Sequence, residues 1–485
     1  MNTFFHCCVT FINSFSKRSL MASRNVVLIV LDSVRKDFFD SYATRIRDLS
    51  HLSYDQCRAV SSWSLPSHAS MLSGTLPSQH GVHTHSGDFA PLSIEKTFLA
   101  ELTDYTTMCV SANAFAGSSY GFDKYFDIFV EASETRRFAD GFDPGTITQQ
   151  IGNDNPRRYL AGLSEIVRHD HPLKSFANAV LGEFDNLVRD LSVPQPIDDG
   201  AVPVLRATKD QIQTATEPFF AFLNIMDTHL PFRSRITYDS SLYDVPNDWC
   251  SDEMDTWELI DADAEEYWQK REALYAASID YVDRKLLSFI QWLQRATDRE
   301  TTVIVTADHG ENHGRQEEHG LVNHKSSLSE GLLHVPLEII NPPEIPEPTE
   351  KYVSHSELGR LITALARGTA PDISSKTVVA ENVGMSAGSD PDSNYEYWDR
   401  ALRCAYKGSE KYVWDSFGSI KKYQIRSDRP SYQELLSEET SELPKWAVRH
   451  FDTDITEYKQ QALSAENQTD IDEATKSRLE KLGYL

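Results

Sequence analysis

Four short runs of the chain are mostly apolar or β-branched: NVVLIVL (25–31), TTMCVSA (106–112), FFAFLNIM (219–226) and TTVIVTA (301–307). Short runs that do not alternate with polar residues suit strands buried on both faces, which means a parallel sheet covered by helices. VPLEII (335–340) is a fifth candidate. Between the runs lie helical patterns. The clearest is YAASIDYVDRKLLSFIQWLQRA, where Val282, Leu286, Ile290 and Leu293 mark one face. The alternation predicts an α/β fold: a large, mostly parallel central sheet flanked by helices. The runs end on Asp32, on Asn113, on Asp227 with His229 two residues on, and on Asp308 with His309. Ligands of open parallel sheets gather beyond the carboxyl ends of the strands. These residues are therefore placed to converge although they are far apart in sequence.

The 485 residues suffice for a large body with an appendage. Residues 1–20 read as a disordered extension or a misassigned start. Lys17 and Arg18 follow the apolar part, the reverse of a signal peptide, and Met21 stands just before the first strand. The main body spans 21–370. Within it, 131–217 is helical and polar, interrupted by NDNP and VPQPIDDG, and reads as an insertion or cap. PPEIPEP (342–348) is a stiff, exposed segment, followed by the helical pattern SHSELGRLITALAR. From about Thr377 the texture changes to short strands, TVVAENV and RALRCAYKGSEKYVWD, so 371–485 is expected to be a small α+β subdomain.

The net charge of −26 repels nucleic-acid phosphates and anionic lipid. The six cysteines, Cys7, Cys8, Cys57, Cys109, Cys250 and Cys404, form neither a disulfide framework nor a C-x-x-C zinc pattern, which suits a reducing compartment. No apolar run reaches the roughly 18 residues of a membrane span. A cytoplasmic location is the expectation.

SWSLPSHASMLSG (62–74) holds the candidate nucleophile. Pro66 suits the first position of a helix. Ser64 then lies just before a helix N-terminus, where free N–H groups and the helix dipole favour an anion. An ordinary capping serine fits the same letters. In TADHGENHG, Asp308 and His309 form half a site for a divalent ion, or a cap and a loop histidine. Asp32 follows six apolar residues and, if buried, must be paired or ligated; capping the next helix is the alternative. Together Asp32, Ser64, Asp308 and His309 make one divalent site of mixed O and N ligands, where the Ser64 hydroxyl is acidified. His229 in MDTHLPF is a candidate hydrogen-bond donor to the anion or proton donor to the leaving group, and Lys325 a candidate anion clamp. His313, His319, His324 and His334 crowd the same stretch as Lys325, but their spacing alone selects none of them as ligands.

NVVLIVLDSVRKD, SWSLPSHASMLSGTLPSQHGV, FLNIMDTHLPF, YAASIDYVDRKLLSFIQWL, TTVIVTADHGENHG and HKSSLSEGLLHVPLEI, in this order, resemble the sulfatase family of the alkaline phosphatase superfamily. They cover most of 24–340. The resemblance implies a sulfatase-like catalytic domain over 21–370. It makes Asp32, Asp308 and His309 metal ligands and Ser64 the nucleophile. His229 and Lys325 would contact the transferred or leaving group. It also implies hydrolysis of a sulfate or phosphate ester by in-line attack through an intermediate on the nucleophile. One divalent ion is implied, calcium by family, with Mg, Mn or Zn compatible with a histidine ligand.

The chain departs from the family pattern in four places. Ser33 replaces a second acid, and His68 replaces the arginine of the C/S-x-P-S-R signature. SANAFAGSSYGFDKYFD, with Asn113 its one obvious polar group, stands where a Lys-Trp-His segment occurs. His309 stands where many members have Asn. Ser64 is therefore expected to act unmodified rather than as formylglycine. His68, Asn113, Asp227, His319 and His324 are the further candidate contacts to substrate. The leading expectation is a metal-dependent hydrolase of small-molecule, glycan or lipid sulfate esters. The alternatives are a phosphomonoester or phosphodiester hydrolase, a phosphoglycerol-type transferase, and an inactive binding homologue.

Overall fold

The computed structural model describes residues 23–465 apart from 133–135, 145, 148–150, 152–154, 190, 261, 316–317, 386–393, 439 and 441, together with 475, 476 and 479. The expectation for residues 1–20 lies outside the described residues.

Strands β1 (Asn25–Leu31), β2 (Leu52–Ser53), β3 (Thr106–Ser111), β4 (Ile128–Glu131), β5 (Phe219–Ile225), β6 (Thr301–Ala307) and β7 (Leu337–Ile340) form one sheet in the order β2-β7-β6-β1-β5-β3-β4. Every residue of β1, β5 and β6 is buried. β1 lies at the centre, parallel to both neighbours, with Leu31 opposite Ile225 on one side and Ala307 on the other. The carboxyl ends of these three strands are therefore level, and Asp32 and Asp308 emerge side by side. β3 and β4 continue the parallel arrangement. The VPLEII run gives β7, which is antiparallel to β6. Among the described residues no long helix separates β6 from β7. Without a crossover helix the chain returns along the same edge in the opposite direction.

The helices used below are α1 (Ser64–Ser73), α2 (Arg157–Arg168), α3 (Pro172–Arg189), α4 (Ala201–Thr214), α5 (Glu265–Ala296) and α6 (Leu358–Ala366). In α5, Tyr267, Arg271, Leu274, Ser278, Val282, Leu286, Ile290 and Leu293 recur every three or four residues and are buried. α5 starts at Glu265, ten residues before the sequence pattern that announced it, because EEYWQKREAL is a run of strong helix formers with acids in the first turn. The 131–217 stretch has two parts. α4 packs on β3 and β5 and buries Ala201, Val204 and Leu205 in the main core. α2 and α3 pair with each other and contribute no residue to that core.

Beyond the main body, β8 (Thr377–Val383), β9 (Ala401–Lys407), β10 (Glu410–Asp415), β11 (Ile420–Ile425) and β12 (Gln433–Ser437) form an antiparallel meander. In β9, Leu402, Cys404 and Tyr406 join the main core, whereas Ala401 and Ala405 pack in a second cluster with Tyr458 and Ala462 of α7 (Ile455–Ser464). The period of two thus sandwiches this sheet between the body and its own helix. A buried ionic group ties the two together. Glu330 lies 2.8 Å from Arg58 and 3.0 Å from Lys411, and accepts a 2.5 Å hydrogen bond from Tyr406. Among the described residues no helix is long and apolar enough to cross a membrane.

Candidate active site

Asp32 is the first residue past β1. Its backbone N–H donates to Ile225 O (3.0 Å), and its carbonyl accepts from Thr228 Oγ1 (2.7 Å). The chain then turns sharply at Ser33, whose φ is +60°. A non-glycine residue holds that conformation only when its surroundings fix it. Here Tyr275 of α5 donates its hydroxyl to Ser33 O (2.6 Å) and accepts from Arg35 N–H (2.9 Å). Ser33 N–H in turn donates to Asp308 Oδ1 (3.2 Å), and Ser33 Oγ to Asp32 Oδ1 (3.1 Å). Ser33, where the family pattern has a second acid, thus positions both carboxylates.

Ser64 is the first residue of α1, after Trp63 in extended conformation. Pro66 lies two residues into the helix, not at its first position as the sequence suggested. It is tolerated there because the first-turn N–H groups have no intrahelical acceptor. α1 ends at Gly74, whose φ of +71° favours glycine. Three other serines do structural work: Ser67 Oγ donates to Ser61 O, Ser73 Oγ to Ala69 O, and Ser70 Oγ pairs with His80.

Asn113, just past β3, closes the centre. Its Oδ1 accepts from Phe115 N–H (2.7 Å), which orients the amide. Nδ2 then donates to Ser64 Oγ (3.0 Å) and to Asp32 Oδ2 (2.5 Å). With one lone pair of Ser64 Oγ engaged, its proton is left for Asp32 Oδ2 at 3.4 Å or His309 Nε2 at 3.5 Å. His309 Nδ1 lies 2.8 Å from Gly310 O. A carbonyl only accepts, so Nδ1 carries the proton and Nε2 offers a lone pair to the site.

Asp32, Asp308 and His309 each offer a ligand atom within 4.8 Å of the others, all buried. Burial, with Asp308 beside it, pushes Asp32 up to about 8. For Asp308 and His309 burial is outweighed by their mutual attraction, which holds the carboxyl down and the imidazole up. Asp308 Oδ2 is buried without a hydrogen-bond partner among the described residues. Two crowded carboxylates, an orphaned oxygen and an aimed imidazole nitrogen fit a divalent cation with mixed O and N ligands.

Across the site, His229 Nδ1 is 2.8 Å from Leu230 O, which fixes its tautomer in the same way. The His324 ring lies 5.1 Å from that of His309 and 5.8 Å from that of His229. Lys325 is buried, its Nζ 5.9 Å from the Trp257 ring. Glu311 and Arg271, which the sequence reading did not single out, lie behind this group. They are fully buried 3.7 Å apart, and Glu311 is 3.7 Å from His324 Nδ1. Glu311 is visible as an acid two residues after His309. Arg271 leaves no such signal, since it occupies a core position of α5 within a charged run.

The remaining candidates are placed elsewhere. His68 faces the sheet between Phe122 and Phe222, accepts from Asn224 Nδ2 (3.1 Å), and is pushed down to about 4 by burial. It lies behind Asp308, 3.9 Å from Oδ2. Asp227 accepts from the N–H groups of Ala201 (2.7 Å) and Asp199 (3.3 Å), at the start of α4. His319 bonds Tyr423 of the C-terminal sheet (3.0 Å). His313 packs against Phe38 and Tyr275, and His334 bridges Asp55 O and Ser431 N–H.

Known structures share this fold. Phosphonate monoester hydrolase SpPMH from Silicibacter pomeroyi superposes with a TM-score of 0.54 at 14% identity, covering 83% of this chain and 89% of its own. A putative sulfatase from Bacteroides thetaiotaomicron VPI-5482 gives 0.53 at 15%, covering 84% and 87%. BT4656, solved with its substrate D-glucosamine-2-N,6-O-disulfate, gives 0.53 at 12%, covering 84% and 92%. No curated protein sequence matches the chain. The sequence model of the family described as Sulfatase matches residues 24–369, a span that contains every residue of the site just built; the chain belongs to the sulfatase family.

Proposed function

We propose that the protein hydrolyses sulfate esters of an organic alcohol, with unmodified Ser64 as nucleophile. The observation that carries this reading is the placement of Ser64 Oγ. It accepts from Asn113 and lies within 3.5 Å of Asp32 and His309, beside an unpartnered Asp308 oxygen. Asp32, Asp308 and His309, with Ser64, would hold a divalent cation, which polarises an ester oxygen and makes the Ser64 hydroxyl more acidic. Asn113 fixes the Ser64 lone pairs, so that the oxygen is aimed and its proton leaves toward Asp32 Oδ2. Ser64 Oγ then attacks sulfur in line, the S–O bond to the alcohol breaks, and the sulfuryl group rests on Ser64 until water removes it. His229 keeps its Nδ1 proton on Leu230 O, so it protonates the departing alkoxide from Nε2 in the imidazolium form, which Glu311 favours against the cost of burial. Lys325 balances the charge on the transferred oxygens.

The surroundings suit an organic ring next to the ester. Trp257, over Lys325, stacks edge-on with Trp398 at 5.2 Å, and Trp398 meets Tyr397 at 5.3 Å. Such aromatic faces bind sugars or aryl groups. Phosphate esters are the second reading, favoured by His68 in the place of the modification-signature arginine, which leaves Ser64 a plain alcohol.

Ser64→Ala is expected to abolish turnover of p-nitrophenyl sulfate while the circular dichroism spectrum and divalent-ion binding persist. Full activity in that variant overturns the assignment. The matching phosphate mono- and diesters, run in parallel, decide the ester class. The mass of the peptide containing Ser64 is expected to be that of serine.

A further inference from the structure

The helical hairpin α2–α3 exposes an apolar surface that the fold leaves uncovered. On α3, Leu173, Phe176, Val180, Phe184 and Leu187 are all exposed, Leu173 to 84% and Leu187 to 70%. Their spacing of three and four residues puts them in one stripe along the helix. The opposite face of α3 is polar and anchored: Ser175 Oγ accepts from Phe142 N–H, and Asn178 bonds the backbone of Phe138 and Phe142. On α2, Leu160, Leu163 and Val167 make the matching stripe, exposed to 74%, 51% and 70%. The apolar side of α3 thus faces out and its polar side in, the reverse of a surface helix that owes its stability to its own core.

The size of this surface sets it apart. These side chains together expose on the order of 1,000 Å², whereas the largest patch on a typical monomer is about 300–600 Å². A standard interface takes about 800 Å² from each partner.

We propose that the α2–α3 hairpin is a dimerisation surface that pairs with the same hairpin of a second copy of this chain. Two hairpins facing each other across a two-fold axis make a four-helix bundle. The three-and-four spacing of both stripes is the pattern that packs helices at a shallow angle. Charge selects the occupant. Residues 157–189 carry five Lys or Arg and four Asp or Glu, within a chain of net charge −26. A nearly balanced patch with both signs can complement itself under two-fold symmetry. An anionic membrane would need a basic excess on the hairpin and would repel the rest of the molecule.

The test uses the full chain. Sedimentation equilibrium over a dilution series is expected to give twice the mass of the chain, dissociating on dilution. Leu173→Glu is expected to weaken the dimer at least about 100-fold, and adding Leu187→Glu to leave a monomer. Turnover of the monomer should stay near wild type, since neither residue joins the main core, and its melting temperature should no longer rise with protein concentration as that of the dimer does. Flotation with vesicles of phosphatidylcholine containing one third phosphatidylglycerol is expected to leave the protein unbound. A wild-type monomer at high concentration overturns the proposal. So does a dimer indifferent to both substitutions, or co-flotation that the substitutions abolish.

Discussion

At the scale of single residues, the site rests on side chains whose orientation is set by one hydrogen bond so that a second atom is free to act. Asn113 spends its oxygen on Phe115 N–H, and its amide hydrogens then address Ser64 and Asp32. His309 and His229 each donate Nδ1–H to the adjacent backbone carbonyl, and His309 turns Nε2 to Ser64. This division of labour gives a test of Asn113. Asn113→Ala removes a preorganised donor from the buried Ser64 hydroxyl, the proposed nucleophile, and losing one such donor lowers kcat by about 10²-fold. We expect that loss in steady-state assays with KM little changed, because Asn113 touches the nucleophile rather than the substrate's remote parts. A kcat within about threefold of wild type would reduce Asn113 to the cap of the short turn that follows it.

At the scale of elements, the site is built by strand ends but held by α5. Tyr275 accepts from one backbone N–H and donates to one backbone carbonyl of the Ser33 turn, all of them buried. Tyr275→Phe strands both groups, and each buried orphan costs roughly 1–3 kcal/mol. Urea denaturation should therefore show a loss on the order of 3 kcal/mol. Because Ser33 N–H supports Asp308, divalent-ion affinity should fall roughly 10–100-fold by calorimetry. Unchanged affinity would mean that the two carboxylates hold their places without the turn. This dependence also explains which parts were legible in the sequence. The strands were, because burial on both faces writes itself as an unbroken apolar run, and the residue after each run is fixed by register. Asp32, Asp308 and His309 followed from that alone. Tyr275 and Arg271 did not, because at a core position of α5 they carry the same periodic signal as Leu274 or Val282. Nothing in a helical period says that a hydroxyl or guanidinium has a partner across the fold. Asp227 and His68 share the other cause of misreading. The strand-end position of Asp227 and the signature position of His68 marked them, but a side chain's direction depends on its neighbours. Asp227 meets the start of α4, and His68 meets Asn224.

At the scale of the whole molecule, buried histidines away from the candidate metal site lower stability in acid. His80, His334 and His355 are fully buried, and burial pushes each down to about 3. In the unfolded chain they titrate near 6.5. Between those values the unfolded state holds three more protons than the folded state, so acid favours unfolding. Their contribution is intact above pH 6.5 and is lost progressively as pH falls toward 3. Each such group takes away about 1.4 kcal/mol per pH unit once the pH is well below 6.5, so the three together remove roughly 4 kcal/mol per unit. Glu330 acts in the same direction further down. Against the burial cost, Arg58 and Lys411 hold it at about 2, so its share is present above about 4.5 and is lost below. Its loss loosens the ionic group that joins the C-terminal sheet to the body. With a total stability of about 5–15 kcal/mol, a chain carrying this load should unfold between roughly pH 5 and 3. Calorimetric melting from pH 8 to 4 is expected to show a flat Tm down to about pH 6.5 and a steepening fall below it. Replacing His80 with Gln, which can still bond Ser70, should make the fall shallower. A Tm that is constant to pH 4 would mean that these imidazoles remain as easily protonated in the fold as in water.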